Sequence, residues 1–94
     1  MKFMHWDLGF VPGGSTAVVH LSGTEANVQL LDDFNVQRYR RGESHEYRGG
    51  HFRTSPARVG VPWDAHWHVV VDLGGFVGSV NASVEVIASR VGAR

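Results

Sequence analysis

The chain has 94 residues, of which 43% are hydrophobic and 19% are charged, and nine basic side chains balance nine acidic ones. A chain of this length buries too little surface to form two hydrophobic cores, so the sequence predicts a single globular domain and excludes a second one. Because cysteine is absent, disulfide bonds, thiolate metal ligands and a cysteine nucleophile are excluded as well.

Alternation of apolar and polar residues recurs along the chain and predicts β-strands, whereas no window shows the spacing of an amphipathic helix. The turn "VPGGST" precedes a predicted strand at residues 16–22, which directs Ala17 and Val19 to one face. A second strand, "NVQLLDD", follows at residues 27–33. The residues "DDFN" then predict a turn, because Asp and Asn side chains readily cap their own backbone.

The segment "HEYRGGHFR" at residues 45–53 predicts a hairpin with Gly49 and Gly50 as a two-residue turn. This turn would give one aromatic face and one charged face, with an opposite-sign pair on the charged face. The predicted cross-strand pairs are Arg48 with His51, Tyr47 with Phe52 and Glu46 with Arg53.

Three further strands show the same period of two. The segment "SPARVGVP" directs Ala57, Val59 and Val61 inward, and residues 80–88 repeat the rhythm with Val80, Ala82, Val84, Val86 and Ala88. A strand at residues 66–73 places on its core face Trp67, Val69, Val71 and Leu73. Its other face, predicted to meet water, carries His66, His68, Val70 and Asp72.

Roughly seven to eight short strands separated by glycine and proline turns predict an all-β fold without a substantial helix. We expect an antiparallel β-sandwich of jelly-roll-like form, with a small, partly open β-barrel as the alternative. The domain is predicted to cover residues 1–89, and residues 90–94 to form a frayed tail.

His66 and His68 lie two residues apart on a predicted strand and therefore project to the same side, as two imidazoles must to share one zinc ion. Zinc needs a third protein ligand, and the sequence brings none of the candidates close to the pair: His5, His20, His45, His51 and Asp72. We therefore expect no metal and no cofactor, and interpret the pair as surface histidines bonded to a carboxylate. A histidine-zinc enzyme is the alternative.

The sequence lacks the G-x-S-x-G, H-E-x-x-H and G-x-x-x-x-G-K-[ST] patterns and a G-x-G-x-x-G that opens a helix. Asp32 and Asp33 are adjacent and would point to opposite sides of a strand, which argues against a paired acid and base. We expect a protein that is not an enzyme and has no catalytic residues.

Residues 38–58 carry six arginines and two glutamates, a local charge of +4 in a chain whose formal net charge is zero. Guanidinium groups and aromatic rings together can hold a small anion, a nucleotide or an acidic protein surface. The predicted contact surface comprises Arg38, Tyr39, Arg40, Arg41, Arg48 and Arg53, with His66 and His68 at its rim. Zero net charge and the lack of an RNA-binding motif argue against nucleic acid as the partner.

Several segments covering nearly the full chain carry a resemblance: "DLGFVPGG" (7–14), "LSGTEANVQLLDD" (21–33), "NVQRYRRG" (35–42), "YRGG" (47–50), "SPARVGVP" (55–62) and "HWHVVVDLGGFVGSVNASVEVI" (66–87). Together they resemble a small bacterial family of domains of unknown function, found alone and fused ahead of TIR signalling domains. The resemblance implies a compact β-sandwich, no established activity, and ligand detection or assembly on behalf of an effector.

The sequence thus predicts a non-enzymatic binding or interaction module with a small-molecule or protein partner. Its N-terminal segment has neither the apolar core of a signal peptide nor a membrane span, so we expect a cytoplasmic protein without a membrane partner. A further alternative is a structural subunit that assembles as a homo-oligomer through its edge strands.

Overall fold

Seven strands and one helix make up the fold in the computed structural model, which describes residues 2–88. In chain order they are β1 (Phe3–Val11), β2 (Thr16–Gly23), β3 (Ala26–Asp32), α1 (Asp33–Arg40), β4 (Arg48–Phe52), β5 (Ala57–Gly60), β6 (Ala65–Asp72) and β7 (Val80–Ile87). The predicted tail at residues 90–94 lies outside the described residues.

The strands form two antiparallel sheets. One sheet has the order β1-β6-β3-β4 and the other the order β5-β2-β7. β6 is an inner strand that pairs with β1 on one side and with β3 on the other. Across residues 2–88 the two sheets stay separate rather than closing into a barrel. The predicted β-sandwich is therefore confirmed, and the barrel is not adopted.

The main core lies between the sheets and contains most of the alternate residues predicted from the sequence. The prediction is wrong at and just beyond the end of β7, where Val86 and Ala88 are exposed, and Val80, Ala82 and Val84 are only partly buried. Full burial of a valine or leucine side chain contributes about 1.5 to 3 kcal/mol to the free energy of unfolding, so the apolar side chains that face inward stabilise the packing of one sheet on the other. The buried members of this core are Val11, Ala17, Val19, Ala26, Val28, Leu30, Ala57, Val59, Val61, Trp67, Val69 and Val71.

Residues 33–40 form a helix, so the predicted turn at "DDFN" is wrong, whereas a single short helix of eight residues agrees with the prediction of an all-β fold without a substantial helix. Asp32 is the N-cap: its backbone is extended, and its Oδ1 accepts a hydrogen bond from the Asn35 N–H at 2.9 Å. Only Val36 in the helix is fully buried, so there is no apolar stripe to reveal a period of 3.6. No helix of residues 2–88 has the length and apolar character needed to cross a membrane.

The helix covers the outer face of the four-stranded sheet, including the face of β6 that was predicted to meet water. That prediction is correct for His66, but His68 is only 6% exposed and Asp72 only 5% exposed. A second, small hydrophobic cluster lies between helix and sheet, formed by Leu31, Val36 and Val70 with Phe3 and Tyr39 packed against it. The sheet thus buries apolar side chains on both of its faces.

Tyr39 fastens the helix to the sheet. Its hydroxyl donates a hydrogen bond to Oδ2 of Asp72 at 2.5 Å, while Oδ1 of Asp72 accepts hydrogen bonds from Asn27 Nδ2 at 2.9 Å and Gly74 N at 2.8 Å. Burial and the hydrogen bond to the Asp72 carboxylate both raise the pKa of Tyr39 above its usual value.

β4 passes straight through Gly49 and Gly50, which were predicted to form a hairpin turn. Both glycines pair with β3 instead. Gly49 has a φ of +119°, and a side chain there would collide with the backbone carbonyl oxygen of Val28. Glycine at this position therefore lets two backbones approach closely. The hairpin is wrong, and so are the predicted pairs of Arg48 with His51, Tyr47 with Phe52 and Glu46 with Arg53.

Candidate functional site

Three histidines and two aspartates meet on the outer face of the four-stranded sheet, beside the start of α1. β6 supplies His66 and His68, whose rings stack with 5.0 Å between centroids. β1 supplies His5 and Asp7, and Asp7 lies opposite His68 in the antiparallel register. Asp33, the first residue of α1, reaches the same point from the helix. We call these five residues the histidine cluster.

A chain of hydrogen bonds fixes the protons within this cluster. Arg40 can only donate, and its Nη2 lies 2.7 Å from His5 Nδ1, so the proton of His5 is on Nε2. His5 Nε2 donates to His68 Nδ1 at 2.9 Å, which leaves the proton of His68 on Nε2. His68 Nε2 then donates to Asp33 Oδ1 at 2.6 Å. All three hydrogen bonds run from Arg40 towards Asp33.

The surroundings of the cluster shift two pKa values. Burial lowers the pKa of His5, and the charge of the nearby guanidinium lowers it further. The backbone N–H of Gly9 donates to Asp7 Oδ1 at 2.9 Å and lowers the pKa of that carboxyl group, followed by the hydrogen bond from His66 Nε2 at 2.5 Å. The cluster therefore favours a neutral His5 beside an ionised Asp7.

Three side chains of the cluster are suited to hold a metal ion. Asp7, His66 and His68 each offer one ligand atom, and these atoms all lie within 4.8 Å of one another. The sequence predicted the histidine pair but missed Asp7, which is 59 residues from His66 along the chain. The available signal was the alternation in "MHWD", which directs His5 and Asp7 to the same face of β1.

A second feature is a pocket of about 400 Å³, which we call the Trp63 pocket. Its lining combines aromatic rings with hydrogen-bonding groups of both charges: Leu30, Asp32, Asn35, His45, Glu46, Tyr47, Arg48, Trp63 and Trp67. Trp63 is 49% exposed and Tyr47 is 48% exposed. The guanidinium carbon of Arg48 lies 5.6 Å from the centre of the Trp63 ring. A few polar groups converging on apolar walls are typical of small-molecule sites.

Hydrogen bonds hold the walls of the Trp63 pocket in place. On one side, the buried Trp67 donates from Nε1 to the backbone carbonyl of Trp63 at 3.0 Å. On the other side, the backbone N–H of Glu46 donates to Asn35 Oδ1 at 2.8 Å and ties the connection between α1 and β4 to the helix. The connections that carry Trp63 and Glu46 are thus tied to β6 and α1 respectively.

The arginines predicted to form one contact surface have different neighbours. Arg40 belongs to the surroundings of the histidine cluster, and Arg48 lines the Trp63 pocket. Arg38 donates to a backbone carbonyl beyond the end of α1, and Arg41 is the C-cap of that helix. Arg53 lies 3.9 Å from a glutamate in the loop between β2 and β3. The other predicted residues lie on the outer face of the four-stranded sheet or on the helix above it: Tyr39, His66 and His68.

A family model described as "Domain of unknown function (DUF1883)" matches residues 1–90. No curated protein and no solved structure matches the chain. The family match covers almost the whole sequence and agrees with the resemblance to a family of unknown function.

Proposed function

The chain belongs to the DUF1883 family of domains of unknown function, and we propose that it is a non-enzymatic binding module whose Trp63 pocket holds a small planar ligand of the nucleotide class. One observation carries this proposal: exposed aromatic surface and an arginine meet in a single pocket. Trp63 and Tyr47 are each about half exposed, and Arg48 lies against the indole. Water contact with apolar ring surface is unfavourable, and a stacked ligand removes it.

Each part of a nucleotide has a chemical partner among the lining residues. A base can stack on the indole of Trp63, and such stacking contributes about 1 to 3 kcal/mol. The guanidinium of Arg48 is planar and can hold a phosphate group through two parallel hydrogen bonds. The carboxylate of Glu46 can accept hydrogen bonds from sugar hydroxyls. The volume of about 400 Å³ falls within the range of small-molecule sites.

Two titratable groups of the pocket are engaged in holding the fold, which supports binding rather than catalysis. Asp32 Oδ1 accepts two hydrogen bonds from Asn35, at 2.9 Å from the backbone and 3.0 Å from the side chain. Both ring nitrogens of His45 are hydrogen-bonded, one to the Glu43 carbonyl at 3.0 Å and one to the Gln29 amide at 2.8 Å. A general acid or base must instead be free to exchange a proton with the substrate.

Calorimetric titration with AMP, adenosine and inorganic phosphate tests the proposal. We expect AMP to bind more tightly than adenosine, and adenosine more tightly than phosphate. Trp63→Leu should weaken the binding of AMP and adenosine by about ten-fold or more, because the stacking surface is lost. Arg48→Gln should weaken AMP binding but leave adenosine binding nearly unchanged, because the phosphate is the part of the ligand that the guanidinium is proposed to bind.

Two matched controls lie outside the pocket. Phe76→Leu removes another exposed ring, one that is 78% exposed, and Arg58→Gln removes another exposed arginine from β5. Both should bind AMP like the unaltered chain. The proposal is wrong if neither AMP nor adenosine binds, or if Trp63→Leu retains full affinity.

A further inference from the structure

We propose that the histidine cluster is a binding site for a divalent transition-metal ion of the zinc type, held by Asp7, His66 and His68 and completed by Asp33. The ligand atoms of the first three residues lie within 4.8 Å of one another. Asp33 Oδ1 lies 2.6 Å from His68 Nε2 and 4.0 Å from His66 Nε2. This site shares no residue with the Trp63 pocket and does not rest on its function.

The donor atoms of Asp7, His66 and His68 lie close enough together to share one tetrahedral ion after small side-chain movements, and the Asp33 carboxylate has to turn towards them to become the fourth ligand. Zinc bonds of about 2.0 to 2.1 Å place tetrahedral donors about 3.3 Å apart. The present separations of 2.5 Å between Asp7 and His66 and 2.6 Å between His68 and Asp33 are hydrogen-bond lengths, and each pair needs to open by less than about 1 Å. Two imidazoles and two carboxylates form a ligand set that zinc accepts, and the two carboxylates balance its charge.

The scaffold keeps these ligands close together before any ion binds. His66 and His68 lie two residues apart on β6, which is hydrogen-bonded along both edges. Asp7 is held by the backbone N–H of Gly9 at 2.9 Å, at the point where the register between β1 and β6 shifts. The side chains of His66, Asp7 and Asp33 are 43%, 57% and 67% exposed, so they have room to turn towards an ion.

Metal binding has to reverse the hydrogen-bond chain that begins at Arg40. His68 can bind an ion through Nε2 only after its proton has moved to Nδ1, from which it donates to His5 Nε2. His5 must then carry its own proton on Nδ1, which faces the guanidinium of Arg40. Two donors cannot share a hydrogen bond, so the 2.7 Å contact between Arg40 and His5 breaks. Arg40 is thus a positioning residue that opposes metal binding.

The test uses the full chain without a histidine tag, freed of metal by a chelator. Cobalt(II) is added first, because a tetrahedral site gives it strong visible absorption bands, and zinc is then added in competition with a chromogenic chelator. We expect one equivalent of cobalt to bind and zinc to displace it. Asp7→Asn and His66→Gln should each weaken zinc binding by about ten-fold or more, since losing a ligand costs at least as much as losing a group that supports one.

Two further variants separate this site from adventitious binding. His20→Gln removes an exposed histidine that pairs with Glu85 at 2.8 Å on the other sheet, and it should leave zinc affinity unchanged. Arg40→Met should bind zinc more tightly, by up to about ten-fold, because the competing donor is gone. The site is refuted if one equivalent of cobalt gives no bands, or if His20→Gln loses as much affinity as His66→Gln. The opposing role of Arg40 is refuted if Arg40→Met binds zinc more weakly.

Discussion

Replacing Tyr39 by phenylalanine tests how the helix is held on the sheet. The change removes the hydroxyl that donates to Asp72 Oδ2 at 2.5 Å, and it keeps the ring, which packs edge-on against Phe3 with 5.1 Å between centroids. Asp72 is only 5% exposed, so water cannot readily replace the lost donor. A lost hydrogen bond to a buried charged group costs about 1.5 to 3 kcal/mol of the free energy of unfolding.

Urea unfolding followed by tryptophan fluorescence measures this cost. The midpoint should fall while the m-value stays constant, because the folded contacts change and the unfolded chain does not. For a domain of this size each kcal/mol corresponds to roughly 4 to 8 °C in Tm, so the thermal midpoint should drop by about 6 °C or more.

A pH series gives an independent check of the same contact. The pKa of Tyr39 is raised in the folded state. Near pH 10 the Tyr39 hydroxyl therefore loses its proton in the unfolded chain but keeps it in the folded chain. This contribution to stability is complete below about pH 10 and is lost as the pH rises above it. Tyr39→Phe should therefore lose less stability between about pH 9 and pH 11 than the unaltered chain does.

Tyr47→Phe is the matched control, because Tyr47 is half exposed and should change stability by less than about 0.5 kcal/mol. If Tyr39→Phe is as stable as this control at neutral pH, the hydrogen bond to Asp72 does not secure the helix and the reasoning fails.

Three further predictions concern stability. Asp32→Ala removes the N-cap of α1 and should cost about 0.5 to 2 kcal/mol in urea unfolding, whereas retained stability would show that the cap is dispensable. Gly49→Ala combines a positive φ with a collision against the Val28 carbonyl and should cost about 1 to 3 kcal/mol or more, while Gly60→Ala, which meets nothing within 4 Å, should be nearly neutral. Burial lowers the pKa of His5. The contribution of neutral His5 to the free energy of unfolding is therefore complete above about pH 6.5 and is lost as the pH falls below that value. In the His5→Gln variant the urea midpoint should fall less steeply as the pH drops below about 6.5. An equally steep fall in the variant would contradict this role of His5.

Alternation was enough to predict most strands and most of the residues that face the opposite sheet, because side chains between the sheets alternate along a strand with side chains that point away from them. It did not reveal α1, since a helix that buries only Val36 has no hydrophobic period and depends on its Asp32 cap. Gly49 and Gly50 were misinterpreted because two glycines serve a tight turn and a close strand pairing equally well. Local sequence does not distinguish these two uses.

The candidate sites were only partly predictable, because sequence spacing reveals residues that are near one another along the chain but not those that the fold brings together. The spacing of His66 and His68 is local, so the sequence identified them as a pair. Asp7 and Asp33 join them only through strand pairing and the helix, across 59 and 35 residues respectively. Trp63 lies between the segment "SPARVGVP" and the strand predicted at residues 66–73, and its position outside any strand was the available sign that its ring lacks a place in the core.

The first turn of α1 joins two regions that are otherwise separate. Asp33 receives the last hydrogen bond of the imidazole chain, and two residues later Asn35 anchors the far wall of the aromatic pocket. Short helix ends open more easily than paired inner strands. Opening of this turn would break the hydrogen bonds of both Asp33 and Asn35 and so disturb both regions together. Amide exchange rates measured at this one turn would therefore report on the integrity of both at once.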